Sequence, residues 1–299
     1  MSSCYIVIGL GEVLWDVFPD GPRFGGAPAN FACSAAELAG GNLDVFMVGA
    51  VGPDELGRKA TWSLREHGVD TRHVATVAEP TGQVLVKFDA AGHPSYDIAT
   101  DTAWDNIRWS DDLQKLATRA DAVCFGTLAQ RSARSCETIQ EFVRATRPEC
   151  LRVLDINLRP PFWNETAVVE SLQLTNTLKM NDEELPALAD ILGWKGANED
   201  LLQQCMTKFS LDLVALTRGA AGALLVTKSG ERSDLPGQAT SVVDTVGAGD
   251  AYTAALVVGR LNNLPLNTLN AWATKVASFV CSQPGGTPKF PPHLRNQSN

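Results

Sequence analysis

The chain of 299 residues is long enough for one or two domains, and its 44% hydrophobic content can bury a sizeable core. Its 25 lysines and arginines against 34 aspartates and glutamates give a net charge of -9, which argues against nucleic-acid and membrane-surface partners. No apolar run is long enough for a membrane span, and the N-terminus lacks the basic stretch of a signal peptide. An anionic ligand must therefore be held by a local feature.

The seven cysteines are scattered, with no C-x-x-C pair and no nearby histidine. Such an odd, unpatterned set is typical of reduced, mostly buried thiols in a cytosolic protein. The sequence therefore predicts a cytoplasmic location.

Strand-like and helix-like patterns alternate along most of the chain. Short apolar runs rich in β-formers predict strands at 4–10, 44–52, 121–126, 151–157, 177–181 and 211–217. Helical spacing with credible caps predicts helices at 28–40, 54–68, 132–146, 181–192 and 198–210. The alternation predicts an α/β fold, with a doubly wound, mostly parallel sheet and helices on both faces.

Two segments break this alternation. Residues 82–101 alternate apolar and polar side chains around the turn DAAGH, which predicts an antiparallel hairpin with one solvated face. Residues 12–24 have a similar pattern around the turn PDG. We expect these segments to decorate a sheet edge or to cover a site. The sequence contains no linker or repeat, and only the tail after Pro291 looks loose, so one domain over 1–299 is predicted.

The stretch DTVGAGDAY at 244–252 places Gly247, Ala248 and Gly249 between two aspartates, ahead of an apolar helical run. A helix start offers free backbone N–H groups and partial positive charge, and glycines let an anion approach the backbone. Asp250 would lie in the first turn, where the helix dipole favours its ionised form. Such a carboxylate can take the proton of a hydroxyl that attacks a phosphate. The alternative is that Asp250 caps a buried helix whose turn the glycines form.

A second turn of small residues lies near the N-terminus. Gly25 and Gly26 precede a helix in which Asn30 offers a donor and an acceptor to neighbouring hydroxyls. Asp16 can accept hydrogen bonds from two hydroxyls of one ligand. Taken alone, Asn30 is more simply a satisfied polar residue on a helix face, and Asp16 a solvated strand residue.

The stretch DINLRPPFW places Asn157 and Arg159 just past the carboxyl end of a predicted strand, where open α/β sheets bind ligands. The fork of Arg159 suits a phosphate or a carboxylate, although a surface ion pair is the alternative. In KMNDEEL, Asn181 and Glu184 fit a helix cap with an acidic first turn.

These motifs together resemble the ribokinase, or PfkB, family of carbohydrate kinases. DTVGAGDAY resembles the C-terminal signature of that family, and FGGAPANFACSAAELAG followed by GAVGPDELG resembles the N-terminal one. The motifs lie in the family's order, and the resemblance covers nearly the whole chain. It implies a ribokinase-like domain with a small β-sheet lid, built from about 12–24 and 82–104, that closes over the sugar.

The resemblance implies roles for the residues that match the sugar side of the family. Asp16, Gly26 and Asn30 would hold the sugar, with Gly25 beside them. Asp250 would act as base, while the amides of residues 247–250 stabilise the transferred phosphoryl group. Arg159, which matches D-x-N-x-R, would lie near the phosphoryl group or the substrate. Trp15 and Trp104 either line the sugar or pack within the lid.

Other matching residues imply a site for MgATP. Asn181 and Glu184 match an N-x-x-E pattern in which the acid orients water on Mg²⁺. A loop would line the nucleotide through Thr217, Gly219 and Gly222. Thr274 would lie near the adenine, at a position where many relatives have asparagine. The loop SQPGG beside Asp244 resembles a K⁺ site of some members.

The stretches GEVLWDVFPDG and DINLRPPFW are most like bacterial fructokinases, which implies that fructose is phosphorylated at a primary hydroxyl. The alternatives are 2-keto-3-deoxygluconate and ribose. A sugar-binding regulatory protein on the same fold is the non-enzyme alternative, but it would be expected to lose the base or the glycines. Rossmann and P-loop interpretations fail because their glycine patterns are incomplete or absent. The sequence does not define the oligomeric state, but some relatives pair through the lid, so its exposed face is the candidate surface for a homodimer.

Overall fold

A computed structural model describes residues 4–39, 42–88 and 94–295. The described strands are β1 (Tyr5–Leu10), β2 (Leu14–Phe18), β3 (Gly21–Gly25), β4 (Leu43–Val51), β5 (Asp70–Thr76), β6 (Gly82–Phe88), β7 (Pro94–Ile98), β8 (Ala122–Phe125), β9 (Leu151–Asp155), β10 (Thr177–Asn181), β11 (Leu213–Thr217), β12 (Ala223–Thr227) and β13 (Arg232–Leu235). The described helices are α1 (Ala27–Ala39), α2 (Glu55–Glu66), α3 (Asp111–Ala117), α4 (Ala133–Arg144), α5 (Glu165–Leu174), α6 (Glu184–Ile191), α7 (Asn198–Phe209), α8 (Ala248–Leu261) and α9 (Leu266–Cys281).

Most strands belong to one large sheet, in the order β13-β12-β11-β10-β9-β8-β1-β4-β5. Neighbouring strands from β11 to β5 run parallel, whereas β12 and β13 pair antiparallel at one edge. The chain leaves β1 for β4 on one side and later returns to β8 on the other. Open α/β sheets bind ligands at such a reversal, beyond the carboxyl ends of the strands.

A small sheet has the order β3-β2-β6-β7. Its outer pairs are antiparallel, with Leu14 opposite Gly25 and Val84 opposite Ile98. Its central strands β2 and β6 run parallel. Both hairpins predicted from alternation are therefore present. The turn at 89–93 lies outside the described residues.

Alternating side chains of the large sheet pack into two apolar layers. Along β1, Ile8 and Leu10 belong to the layer that contains Phe142 of α4. Val7 belongs to the opposite layer, together with Phe31 of α1 and apolar residues of α8. The prediction of a doubly wound α/β fold is confirmed.

Some elements differ from the sequence prediction. Helix α6 begins at Glu184 and not at residue 181, because the Asn181 side chain accepts hydrogen bonds from the amides of Glu183 at 2.9 Å and Glu184 at 2.8 Å and forms a turn there. The edge strand β5 has the polar sequence DTRHVAT, so no apolar run predicts it. All seven cysteines are free thiols. Across the described ranges, no helix combines the length and apolar character needed to cross a membrane.

Candidate active site

A cleft of about 550 Å³ lies between the small sheet and the carboxyl edge of the large sheet. It is lined from one side by strands β2, β6 and β7, and from the other by the start of α8 and by segments that follow β1, β9 and β10. The cleft brings together many residues that the sequence singles out: Asp16, Gly26, Asn30, Asn157, Arg159, Asn181, Glu184, Gly247, Gly249 and Asp250.

Close packing between backbone segments fixes the N-terminus of α8 at the cleft. Gly247 caps the helix at a φ of 76°, a left-handed conformation that favours glycine. A Cβ atom on Gly247 would clash with the carbonyl oxygen of Gly286. Gly286 in turn lies against Asn30, because its own Cβ would be 3.1 Å from Asn30 Nδ2. The amides of Gly249 and Asp250 belong to the first helical turn, where N–H groups have no intrahelical acceptor and can bind an anion.

Asp250 is partly buried at this helix start. One carboxylate oxygen accepts a hydrogen bond from Asn30 Nδ2 at 2.9 Å, which joins α8 to α1. Burial raises the pKa of Asp250 to about 6, the charge of Asp155 adds to this rise, and the Asn30 hydrogen bond opposes it. The carboxylate is therefore ionised at neutral pH and more basic than an ordinary aspartate, as a general base requires.

The residues predicted to bind the sugar lie around β2 and the start of α1. Asp16 is partly buried, and burial together with the charge of Asp244 raises its pKa to about 6. A side chain at Gly25 would meet Asp16, since a Cβ there would be 2.6 Å from the Asp16 carboxylate. Gly26 has a φ of 106°, and its Cβ would be 2.5 Å from the carbonyl oxygen of Glu12. Gly25 therefore leaves room for the Asp16 carboxylate and is not among the residues that line the cleft.

Trp15 and Trp104 pack away from the cleft. The Trp15 indole donates to the Leu56 carbonyl at 3.0 Å and meets Phe24 edge-on. Trp104 is fully buried, with the Arg131 guanidinium 3.8 Å above its ring. The apolar wall of the cleft is formed by other side chains: Leu14, Phe18, Val84, Tyr96, Ile98 and Leu128.

Glu184 is buried and oriented by the backbone. Its carboxylate oxygens accept from the amides of Leu158 at 3.1 Å and Asn181 at 2.8 Å, and burial raises its pKa. Within the ranges that the structure describes, no group of three or more acidic, histidine or cysteine side chains could cage a metal ion. One fixed carboxylate fits Mg²⁺, which keeps much of its water and takes phosphate oxygens as ligands. Bound there, the ion would neutralise charge on the nucleotide phosphates.

The other predicted nucleotide residues lie outside this cleft. Thr217 pairs with Asn181 on the neighbouring strand, so both residues lie at the carboxyl ends of the parallel strands. Gly219 is exposed in a short 3-10 helix, whereas Gly222, at a φ of 89°, packs against the Leu235 carbonyl within the β11–β12 hairpin. Thr274 is buried on α9. The turn is sufficient to account for Gly222, and nucleotide binding by this loop stays a prediction.

Asp244 lies beside the SQPGG loop, as the sequence predicts. Its carboxylate accepts from the amides of Val246 at 3.0 Å and Gly285 at 3.1 Å. The Arg23 guanidinium of the small sheet approaches it to 3.5 Å. A cation from the chain thus already faces Asp244, and K⁺ binding there stays a prediction. Ala248, the first residue of α8, is not among the residues that line the cleft, unlike Gly247 and Gly249 on either side of it.

Sequence reasoning missed three buried charged residues. Lys179 and Glu12 line the cleft, and Asp155 pairs with Lys179 at 3.0 Å. Burial raises the pKa of Glu12 to about 7, and the charge of Asp250 adds to this rise. The available signal was a lysine inside the apolar strand TLKMN and an acid in the first predicted turn, GLGEVL.

The doubly wound sheet, the small second sheet and the cleft between them define a ribokinase-like α/β phosphotransferase. This class transfers a phosphoryl group to an alcohol. The chain belongs to the pfkB family of carbohydrate kinases, because the family's sequence profile matches residues 21–293.

Individual relatives agree with this assignment. An uncharacterized sugar kinase from Pyrococcus horikoshii, solved in complex with ATP, superposes with a TM-score of 0.78 at 28% identity and covers 94% of each chain. A fructokinase of Salmonella typhimurium is 28% identical over 297 residues, covering 94% of this chain and 92% of the relative. The aminoimidazole riboside kinase of Salmonella typhimurium is 28% identical over 255 residues, covering 83% and 75%. Overall identity therefore does not distinguish between sugar acceptors.

Proposed function

We propose that this protein is an ATP-dependent fructokinase, which transfers the γ-phosphoryl group of MgATP to a primary hydroxyl of fructose. The observation that carries the proposal is the position of Asp250. It lies in the first turn of α8, beside glycine amides suited to a phosphate, and in the same cleft as Asp16 and Asn30. A base and an anion site at one helix start are what in-line phosphoryl transfer requires.

In the proposed reaction, Asp16, Gly26 and Asn30 bind the sugar and direct one hydroxyl towards Asp250. Asp250 takes the proton of this hydroxyl. The hydroxyl oxygen forms a bond to the γ-phosphorus, and the bond between that phosphorus and the β,γ-bridging oxygen breaks, so ADP leaves. The amides of residues 247–250 stabilise the charge that the transferred group carries. Asn181, Glu184 and Thr217 would face the nucleotide, and Glu184 would hold Mg²⁺ through water, where the ion would offset charge on the phosphates.

The carboxylates at the predicted sugar site favour a neutral acceptor. Asp16 and Asp250 line the cleft and are ionised at neutral pH, whereas Glu12, with a pKa of about 7, is only about half ionised there. An acceptor with its own carboxylate would be repelled by them. Fructose is neutral and has hydroxyls for Asp16 and Asn30, and the relatives include a fructokinase. The small sheet adds an apolar wall that shields the reaction from water.

Arg159 supports a second candidate acceptor. Its side chain lines the cleft and donates to its own neighbour, the Leu158 carbonyl, at 3.0 Å, which leaves other N–H groups for a ligand. A fork of this kind can bind the carboxylate of 2-keto-3-deoxygluconate. Replacing Arg159 with methionine would then abolish turnover of this acid but spare turnover of fructose.

The deciding experiment is ATP turnover by the purified protein with fructose, 2-keto-3-deoxygluconate, ribose and nucleosides, each with and without K⁺. We expect the highest kcat/KM with fructose. A higher kcat/KM with another acceptor would identify that compound, and not fructose, as the preferred substrate. Sugar binding without any phosphorylated product would favour a regulatory protein over a kinase.

We also propose that the protein pairs through the outer face of the small sheet. On β6, Val84 and Val86 are buried, whereas Leu85 between them is 42% exposed. We expect a dimer in sedimentation velocity and a monomer for the variant L85K. A monomeric wild-type protein would remove this proposal.

A further inference from the structure

We propose that Lys179 is a catalytic residue, whose ammonium group binds the transferring phosphoryl group together with the amides of Gly249 and Asp250. The inference rests on the proposed kinase function and adds a cation to the anion site.

Lys179 lies on β10, one of the inner strands of the large sheet, and its side chain is 8% exposed. The exposed part faces the cleft, which Lys179 lines. Its Nζ atom reaches the first turn of α8, because a Cβ atom on Gly249 would be only 2.9 Å from it. The glycine at this position therefore leaves room for the ammonium group beside the helix amides.

The hydrogen bonds of Lys179 leave donors free for a ligand. An ammonium group has three N–H donors. Asp155 Oδ1 accepts one of them at 3.0 Å, and no second acceptor of Nζ occurs in the part of the chain that the structure describes. The other oxygen of Asp155 is engaged by Thr253 Oγ1 at 2.9 Å. Asp155 thus holds the ammonium group against α8 but uses only one of its three N–H donors.

The surrounding charges keep Lys179 protonated. Burial by itself would lower its pKa, but the charges of Asp155, Glu184 and Asp250 raise the pKa above its ordinary value. These carboxylates carry more negative charge than one lysine balances. An incoming triphosphate therefore needs cations at this spot, and a lysine acts on phosphate as a compact point charge.

Lys179 does not exchange a proton in the proposed step. As the γ-phosphorus moves from the bridging oxygen to the sugar oxygen, negative charge is spread over its three other oxygens. One N–H of Lys179 donates to one of these oxygens. Removing a hydrogen-bond donor that is held in place in a site that excludes water lowers the rate by about 100-fold to 1000-fold.

The test distinguishes a contact between Lys179 and the phosphoryl group from a role in which Lys179 only neutralises Asp155. D155N keeps the lysine, whereas D155N/K179M removes both charges and leaves no buried carboxylate without a partner. The measurements are kcat and the ratio of the dissociation constants of MgADP and MgAMP-PNP, where only AMP-PNP carries a γ-phosphoryl group. K228M, at a lysine that is 67% exposed, serves as the control.

We expect D155N/K179M to have a kcat at least about 100-fold below that of D155N, and to lose the preference for AMP-PNP over ADP. K228M should match the wild type. Equal kcat values and equal preferences for D155N and D155N/K179M would overturn the proposal. If D155N/K179M does not fold, as judged by thermal melting, D155N/K179Q provides the same comparison. If the wild type phosphorylates no sugar, the kinase proposal fails, while the nucleotide preference still tests the Lys179 contact.

Discussion

A hydrogen bond of 2.9 Å from Asn30 to Asp250 links the predicted sugar site to the predicted base. Asn30 is buried and its Nδ2 group donates, so it holds the carboxylate in one orientation. A sugar hydroxyl that approaches Asp250 then meets an oriented acceptor whose pKa is close to that of a useful base.

Replacing Asp250 with asparagine removes the proton acceptor but keeps its shape and its hydrogen bond with Asn30. We expect kcat to fall by at least about 100-fold, with sugar and ATP binding preserved. Steady-state kinetics and calorimetric titration measure the two effects. D212N, at a half-exposed surface aspartate, is the control and should behave like the wild type. A D250N enzyme with near wild-type turnover would refute the assignment of the base.

The pH profile should report the same carboxylate. Asp250 is active when ionised, and its pKa is raised to about 6, so kcat/KM should fall as the pH drops through about 6 and level off above it. Asp16 has a similar pKa, so the profile should also be measured on D16N. The acid limb should persist in D16N. Its disappearance would assign the limb to Asp16.

Asp16 should affect binding more than chemistry. We expect D16A to raise the KM for the sugar by about 10-fold to 100-fold, because a hydrogen bond to a charged group is lost, with a smaller change in kcat. An unchanged KM would argue against a sugar-binding role. D20N, at an exposed residue in the β2–β3 turn, is a control on the same sheet.

At the scale of elements, helix α8 depends on its glycine cap. Gly247 combines a positive φ with a contact to Gly286, and the cap sets where the first-turn amides lie. This arrangement turns an ordinary helix start into an anion site.

G247A should disturb both stability and catalysis. The added methyl group meets backbone that cannot move aside, so we expect a lower Tm and a kcat reduced by about 10-fold or more. Gly230 offers a matched control, because it also has a positive φ, of 85°, but a Cβ there would meet nothing within 4 Å. G230A should carry only the backbone strain. Equal kcat values for G247A and G230A would contradict the role of the cap.

The same elements show what a sequence can predict. The apolar runs predict the parallel strands other than β5, and the alternation of apolar and polar residues predicts both hairpins, because burial on one or both faces of a strand leaves a pattern in the sequence. The anion turn at 247–250 is predicted because its glycines, acid and helix are adjacent in the sequence. The Asp155–Lys179 pair is not, because its members are opposite each other only once β9 and β10 are in register. The wall residues Val84 and Ile98 depend in the same way on how the small sheet packs.

At the scale of the whole molecule, the cleft gathers acidic side chains whose ionisation opposes folding. Glu12 is 1% exposed, and its pKa is raised from 4.5 to about 7. Between these two pH values the folded chain holds a proton that the unfolded chain has lost. The free energy of unfolding therefore decreases as pH rises through this range, by a contribution on the order of 3 kcal/mol.

E12Q should remove this contribution while keeping the shape of the side chain. We expect the Tm of E12Q minus the Tm of the wild type to become more positive as the pH rises from 5 to 8, as measured by scanning calorimetry. E141Q, at a half-exposed glutamate of α4, should show no such trend. A difference between E12Q and wild type that is constant with pH would show that Glu12 titrates normally.

The contacts from Gly247 to Gly286 and from Gly286 to Asn30 have a consequence for redesign of the acceptor range. Gly247 and Gly286 have no room for a side chain, so a larger residue at either position would displace its neighbour. The apolar side chains on the small sheet, Leu14, Val84 and Ile98, border the same cavity from an independent layer. Libraries that aim at new sugars should therefore vary the small sheet and leave the glycines untouched.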